Sequence, residues 1–124
     1  MGNPKIKETL DMRLGRHARK AAAIMRERGH TVGTAENALG QVCLVGAFRR
    51  AVAPMGGANV APLSYQFNVR FGKWMAQHHP QAAKVAMDWE GFVVATTWND
   101  HVLKTEEETL AWLDKFADAM DPQR

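Results

Sequence analysis

Cys43 has the most nucleophilic side chain in this sequence, and it is the only cysteine. A thiol becomes a nucleophile when a neighbouring base or positive charge stabilises its thiolate. The residues around Cys43 are instead apolar, with Val42 before it and Leu44 and Val45 after it. Burial in such surroundings raises the pKa of a thiol and makes it unreactive. We therefore predict that Cys43 is a small buried core residue.

Histidine and carboxylate side chains offer one conceivable metal site, made of His78, His79, His101 and Asp100. Ligands on one helix usually lie three or four residues apart so that they share a face. His78 and His79 are adjacent, so their spacing argues against a metal ion. We interpret His79, which directly precedes Pro80, as a helix-end residue that contacts the terminal carbonyl groups.

Motifs of the common enzyme classes are missing from the sequence. It has no glycine-rich phosphate-binding loop, no His-Glu-x-x-His and no Gly-x-Ser-x-Gly. Its only serine is Ser64, which makes a serine hydrolase a poor hypothesis. We expect a protein that is not an enzyme, with no catalytic residue, no cofactor and no metal ion.

The tripeptide Trp98-Asn99-Asp100 has two interpretations. Tryptophan is enriched at binding hot spots, so the tripeptide could be an exposed recognition edge. Alternatively, Trp98 packs in the core while Asn99 and Asp100 shape a turn through local backbone hydrogen bonds. We favour the second interpretation because Asn and Asp make such bonds readily.

Charge is distributed unevenly along the chain, which has a net charge of +3. Residues 1–30 contain eight basic and three acidic residues, whereas residues 104–124 contain three basic and six acidic ones. This asymmetry could attract a partner or a nucleic acid, or it could let the two ends pair with each other. The tentative binding residues for a protein partner or for nucleic acid are Arg13, Arg16, Arg19, Lys20, Arg26 and Arg28. A solvated helix face is the favoured interpretation, since these residues lie opposite an apolar stripe.

Hydrophobic periodicity predicts the elements that position these residues. Apolar residues recur every three or four positions over residues 4–29, which indicates a helix with Gly29 as its stop signal. Gly15 marks a possible kink in it. A run that is apolar on all sides predicts a buried central helix over Ala38–Val52, and a buried strand over Val42–Val45 is the competing interpretation. Thr34 or Asn37 would cap that helix.

Prolines and glycines divide the second half of the chain. They predict a mobile loop over residues 54–61 and then an amphipathic helix over Leu63–His78 that begins with Pro62. A short helix is predicted over Pro80–Trp89, with Gly91 as its stop signal, and an extended or irregular segment over Phe92–Trp98. The last helix begins with a Thr105–Glu108 capping box and ends at Pro122.

Length and composition agree with one soluble domain. The 124 residues are 46% hydrophobic and 23% charged, and no apolar run is long enough to span a membrane. No signal peptide is recognisable, and the single cysteine fits a reducing cytoplasm. We expect an all-α, compact single domain of four to five helices with a buried central helix, in which residues 1–4 are flexible.

Two stretches carry a resemblance to a known family. The run Val42-Cys43-Leu44-Val45-Gly46-Ala47-Phe48, then Trp98-Asn99-Asp100 and a helix that begins with a threonine, resembles a small uncharacterised family of actinobacteria and their phages, the domain of unknown function 6197. The resemblance covers most of the chain and implies no activity. It implies that Cys43, Gly46, Trp98, Asn99 and Asp100 are family motif positions, for which a structural role is the favoured interpretation.

Surfaces of both charge signs, a glycine-rich loop and the missing catalytic motifs favour one function class. We expect a non-enzymatic accessory protein of the cytoplasm, phage-encoded or actinobacterial, that binds a host or partner protein. The alternative is a DNA- or RNA-binding protein that uses its basic N-terminal helix. The sequence does not identify the partner.

Overall fold

The computed structural model describes residues 7–88 and 94–122, and within these ranges the chain is compact and all-α. The predicted all-α fold class is confirmed, but the described residues form six α-helices instead of four to five, because a one-turn helix lies where an extended segment is predicted. In chain order the helices are α1 (Leu10–Arg28), α2 (Leu44–Val52), α3 (Gly57–His78), α4 (Pro80–Asp88), α5 (Ala95–Trp98) and α6 (Glu106–Met120). The predictions for residues 1–6, for Trp89 and Gly91, and for residues 92–93 lie outside the described residues.

α1 packs lengthwise against α6. It starts after Thr9, whose side chain accepts a hydrogen bond from the Met12 amide at 3.1 Å, and it stops at Gly29, where φ is +93°. Residues 7–9, predicted to be helical, precede it because Thr9 is the cap. Gly15 marks no break in α1. A Cβ atom there would lie 2.6 Å from Asp121 Cβ, so glycine is required for the close approach of α6.

The buried central helix is shorter than predicted, because α2 begins at Leu44 and not at Ala38. The Asn37 side chain accepts hydrogen bonds from the amides of Leu39 and Gln41, both at 3.0 Å, and this local turn replaces the helix. Gly40 lies within this turn with φ +82°, which is incompatible with a helix.

The start of α2 differs from both predicted alternatives. Val42 forms isolated β-bridges with His30 and Glu36, but the residues after Cys43 are helical, so the strand over Val42–Val45 is wrong. The cap is Cys43 and not Thr34 or Asn37. The loop of residues 30–43 therefore runs alongside the beginning of α2 and covers it.

Aromatic rings build the core between α2, α3 and α6. Phe48 of α2 stacks on Phe67 of α3 with ring centroids 4.3 Å apart, and Phe116 of α6 meets Phe67 edge-on at 5.7 Å. All three rings are fully buried. The prediction that α2 is buried is confirmed, since every residue of α2 except Arg49 and Arg50 is buried.

The predicted loop over residues 54–61 is helical from Gly57 onward. A 3₁₀ turn over Ala53–Met55 leads to Gly56, whose φ of +98° provides the break between α2 and α3. Pro62 lies inside α3 and does not start it, which corrects the predicted helix start. The predicted end of this helix at His78 is confirmed. The mobility of residues 54–61 stays a prediction.

Within the predicted extended segment, Val94 is extended but the residues from Ala95 onward are helical. α5 (Ala95–Trp98) continues into a π-helical turn over Asn99–Leu103. The β-branched residues here favour a strand only weakly, and tertiary contacts made by Trp98 decide the conformation. α6 begins after Thr105 and ends before Pro122 as predicted, and Thr105 Oγ1 accepts a hydrogen bond from the Glu108 amide at 3.2 Å. The predicted capping box is incomplete, because the Thr105 amide donates to the Leu103 carbonyl and not to the Glu108 side chain.

His17 lies in the core on the inner face of α1. It is 1% exposed, its ring meets that of Phe48 edge-on, and neither ring nitrogen has a hydrogen-bond partner among the described residues. Burial lowers the pKa of His17, and the neighbouring charges of Arg16 and Lys20 lower it further. The folded protein therefore holds this imidazole in its neutral form.

We predict that folding stability decreases as pH falls below about 6.5, the ordinary pKa of histidine. Below that pH His17 binds a proton in the unfolded chain but not in the folded one. The free energy of unfolding therefore falls by up to about 1.4 kcal/mol per pH unit because of this residue. Urea unfolding at a series of pH values measures the slope. His17→Leu should flatten it in part, leaving the share of His79, whose pKa burial also lowers. An unchanged slope in His17→Leu would contradict the assignment.

Candidate functional site

The buried side chain of Asn99 joins three segments of the chain. Its Oδ1 accepts hydrogen bonds from the Leu44 amide at 3.1 Å and from His30 Nε2 at 2.8 Å. Its Nδ2 donates to the Thr31 carbonyl at 3.1 Å and to Asp100 Oδ1 at 2.9 Å. Asn99 thus ties the π-helical turn to the first amide of α2 and to the loop of residues 30–43.

Trp98 and Asp100 extend these connections in opposite directions. The Trp98 indole is fully buried, and its Nε1 donates to the Gly72 carbonyl of α3 at 2.9 Å. Asp100 Oδ1 accepts a hydrogen bond from the Gly33 amide at 3.0 Å, which fixes the loop from the other side. Trp98 therefore packs in the core as predicted and forms no exposed recognition edge. The predicted local backbone bonds of Asn99 and Asp100 are wrong, because these side chains bond to backbone groups of distant segments.

Cys43 and Gly46 hold the same loop against α2. The Cys43 amide donates to the Ala35 carbonyl at 3.0 Å, and Cys43 Sγ accepts from the Gly46 amide at 3.4 Å as the cap of α2. A Cβ atom on Gly46 would lie 1.9 Å from the Ala35 carbonyl oxygen, so only glycine fits. Burial raises the pKa of the Cys43 thiol, as its apolar neighbours predict. We call Cys43, Gly46, Trp98, Asn99 and Asp100 the motif cluster.

We predict that Asn99→Asp destabilises the fold by about 3 kcal/mol, although the shape of the side chain is kept. The substitution replaces the Nδ2 donor by an oxygen that faces the Thr31 carbonyl and the Asp100 carboxylate. Chemical denaturation measures the loss. The control is Asn68→Asp, because Asn68 Oδ1 only accepts a hydrogen bond, from the Thr96 amide at 3.3 Å, and a carboxylate also accepts. Equal losses in the two variants would argue against the role given to Asn99.

A groove of three adjoining hollows lies beside the motif cluster. Arg49 lines all three, so we call it the Arg49 groove. The hollow next to the motif cluster has a volume of about 290 Å³, and the one against α3 about 490 Å³. The lining residues are Gly33, Thr34, Ala35, Glu36, Cys43, Val45, Gly46, Arg49, Arg50, Ala53, Val60, Ala61, Ser64, Tyr65, Asn68, Thr96 and Asp100.

Arg49 differs from the other arginines that the structure describes. It is exposed and has no ion-pair partner within residues 7–88 and 94–122. Each of the others lies within 4.0 Å of a carboxylate oxygen: Arg13, Arg16, Arg19, Arg26, Arg28, Arg50 and Arg70. In the same groove the ring of Tyr65 is exposed, with 61% of the residue's surface accessible. The groove thus presents an unneutralised guanidinium and an aromatic ring to solvent.

The basic residues of α1 lie mostly in ion pairs with acidic residues, many from the C-terminal part of the chain. Arg19 contacts Asp121 at 2.8 Å and Asp118 at 3.3 Å, and Arg26 contacts Asp114 at 2.6 Å. The two oppositely charged ends of the chain therefore pair with each other, which is one of the outcomes that the charge asymmetry allows.

The remaining basic residues of this face are less fully neutralised. Arg13 and Arg16 share the carboxylate of Glu8, and hydrogen bonds from Arg16 lower the pKa of Glu8. Arg28 lies 4.0 Å from Glu36. Lys20 has no ion-pair partner in the described part of the chain.

The candidate metal ligands do not come together. Among the described residues, no three histidine, cysteine or carboxylate side chains are placed to hold one metal ion. His79 ends α3 as predicted, since its backbone amide donates to the Met75 carbonyl at 2.9 Å. Its side chain makes no hydrogen bond to the carbonyls of that helix among the described residues. Its Nδ1 instead accepts hydrogen bonds from the amides of Gln81 and Ala82 at 3.1 and 3.2 Å, so it caps the start of α4. His78 Nδ1 is the group that contacts a carbonyl, that of Trp74 at 2.8 Å.

The motif cluster and the helices around it match a known family. A model of the family of unknown function DUF6197 matches residues 10–119. The chain belongs to this family. The match to DUF6197 covers every described helix except the last residue of α6. No curated protein and no solved structure is similar enough to the chain to count as a match. None of the described helices combines the length and the apolarity needed to cross a membrane.

Sequence reasoning did not find the Arg49 groove. Arg49 is visible in the sequence only as the residue that ends an apolar run, and Tyr65 is the only tyrosine. A signal was available in the helical pattern, since Tyr65 lies off the apolar stripe of Leu63, Phe67 and Phe71. The combination with Arg49 depends on how α2 and α3 pack.

Proposed function

We propose that this DUF6197 protein is a non-enzymatic accessory protein that binds a partner protein through the Arg49 groove. An actinobacterial or phage origin and a cytoplasmic location are part of this proposal, and the family resemblance supports them. The partner is a protein of the same cell or, for a phage protein, of the host.

The observation that supports the proposal most is the exposure of Arg49 and Tyr65 in one concave surface. Arginine and tyrosine are enriched in the centres of protein interfaces, where each supplies large contact area together with hydrogen bonds. Val45 and Val60 also line the groove and add an apolar component to it. A surface of this kind stabilises a complex when a partner covers it and removes it from water.

Catalysis is a weaker hypothesis on the same geometry. Cys43 lines the groove, but it is only 3% exposed and its thiol has a raised pKa. A thiol in this state is a poor nucleophile at neutral pH. Its Sγ also accepts the hydrogen bond that caps α2, so its contacts are explained without chemistry.

We predict that the double substitution Arg49→Ala with Tyr65→Ala lowers partner capture from a host lysate at least about tenfold, because interface centres carry most of the binding energy. Immobilised protein followed by quantitative mass spectrometry measures the recovery. The matched control is Arg26→Ala with Met87→Ala, which removes one arginine and one exposed apolar side chain outside the groove.

Nuclease treatment of the lysate separates protein partners from nucleic acid. Proteins that depend on the groove should be retained after treatment. Loss of all of them on treatment, or equal recovery with the groove variant and the control, would overturn the proposal.

Nucleic-acid binding by the basic face of α1 is the second candidate. The feature in its favour is a residual positive charge, since Arg13 and Arg16 share one carboxylate and Lys20 lacks an ion-pair partner among the described residues. Against it, Arg19 and Arg26 are neutralised by acidic residues of the C-terminal part of the chain.

We predict that DNA binding is weak and that Arg16→Gln with Lys20→Gln changes it little. Four phosphate contacts on duplex DNA would give a log–log salt slope of roughly −3.6, and the double substitution would then flatten the slope by about two contacts. Gel-shift titrations at several salt concentrations measure both quantities. Tight binding at physiological salt that the double substitution abolishes would favour the nucleic-acid function instead.

A further inference from the structure

We propose that the occupant of the Arg49 groove is an extended acidic peptide segment of the partner, with a carboxylate on Arg49 and a backbone N–H directed at Asp100. This inference rests on the proposed function and specifies the chemistry that the groove recognises.

We call the hollow that Glu36, Arg49 and Arg50 line the positive end of the groove, because its two arginines outnumber its one carboxylate. Arg50 makes two hydrogen bonds to Glu36, at 2.7 and 2.8 Å, and Arg28 lies 4.0 Å from the same carboxylate. Glu36 is therefore already shared and leaves Arg49 without a counter-ion among the described residues. A guanidinium presents parallel N–H donors that match a carboxylate, so an Asp or Glu side chain is the complement that this end lacks.

The negative end of the groove is the hollow that Asp100 lines next to the motif cluster. Asp100 and Arg49 line the same hollow, yet they do not lie within ion-pair distance of each other. Asp100 is kept in place because its Oδ1 accepts from the Gly33 amide and from Asn99 Nδ2. Its other oxygen makes no hydrogen bond to the described residues, so it is available to accept one from a ligand.

These two ends favour a peptide over a nucleic acid. A chain of phosphates placed on Arg49 would bring further negative charge toward Asp100, and like charges at close range are repelled. A peptide offers both complements, because it carries backbone N–H donors as well as acidic side chains. The apolar residues Val45 and Val60 and the exposed ring of Tyr65 also suit the aliphatic parts of a peptide better than a phosphodiester backbone.

The test is selection from a surface-displayed library of short random peptides on the folded full-length protein. Enriched peptides should share an Asp or Glu, and Arg49→Glu should weaken their binding at least about tenfold. The same variant should select peptides with Lys or Arg at the corresponding position, an exchange of preference that a loss of folding cannot produce. Arg26→Glu is the matched control, because Arg26 is exposed outside the groove, and it should select acidic peptides as the wild type does.

Other outcomes separate this inference from the proposed function. In one outcome the selected peptides lose binding to Tyr65→Ala, but they have no preference for acidic residues or a preference that does not depend on Arg49. This outcome overturns the acidic-peptide inference and leaves the groove as a partner site. Peptides that bind Tyr65→Ala and Arg49→Glu as well as wild type overturn both. The acidic-peptide inference is also overturned if the library yields no binder, or if inorganic phosphate displaces the binders from wild type but not from the Arg49→Glu variant. The partner-capture experiment then decides whether the proposed function holds.

Discussion

The amide of Asn99 makes four hydrogen bonds in a place where the backbone has little regular pairing of its own. The loop of residues 30–43 is held by isolated β-bridges and a few backbone hydrogen bonds, so side chains must satisfy the buried polar groups that these leave unpaired. Asn99 satisfies the Thr31 carbonyl of this loop and at the same time the first amide of α2. Through Asp100 it also fixes the Gly33 end of the loop, which forms a wall of the Arg49 groove. The shape of the candidate site therefore follows from one satisfied amide in the core.

Ion pairing divides the arginines of this protein into two groups with different consequences. Those of α1 are largely neutralised, in part by α6 and by Asp121, which is only 2% exposed. Each exposed pair contributes little stability, but together they cancel the charge asymmetry that the sequence shows. Arg49 has no ion-pair partner among the described residues, and Glu36, which lines the same groove, already pairs with Arg50 and Arg28. The location of the effective positive charge is thus a property of the packing and not of the composition.

The parts of the fold that could be predicted from the sequence are those that local interactions determine. α6 follows from its Thr105 cap and its regular apolar stripe, and α1 ends at Gly29 as its sequence predicts. The start of α2 could not be predicted, because a single Asx turn at Asn37 outweighs the apolar character of residues 38–43. Residues 95–98 likewise adopt a helix that their β-branched side chains disfavour, since the buried indole of Trp98 reaches the Gly72 carbonyl. The Arg49 groove combines residues of four separate segments, and no local pattern brings these together.

The contact between Gly46 and Ala35 restricts how this chain can vary in sequence at position 46. A helix usually meets a neighbouring segment through side chains, so a larger residue on one side is accommodated by a smaller one on the other. At position 46 the obstructing atom is a backbone carbonyl oxygen, and every amino acid carries the same one. No second substitution in a neighbouring side chain can therefore make room for a side chain at position 46. Reversion, or a change in the length of the loop itself, is the only route by which such a mutant could regain the native arrangement.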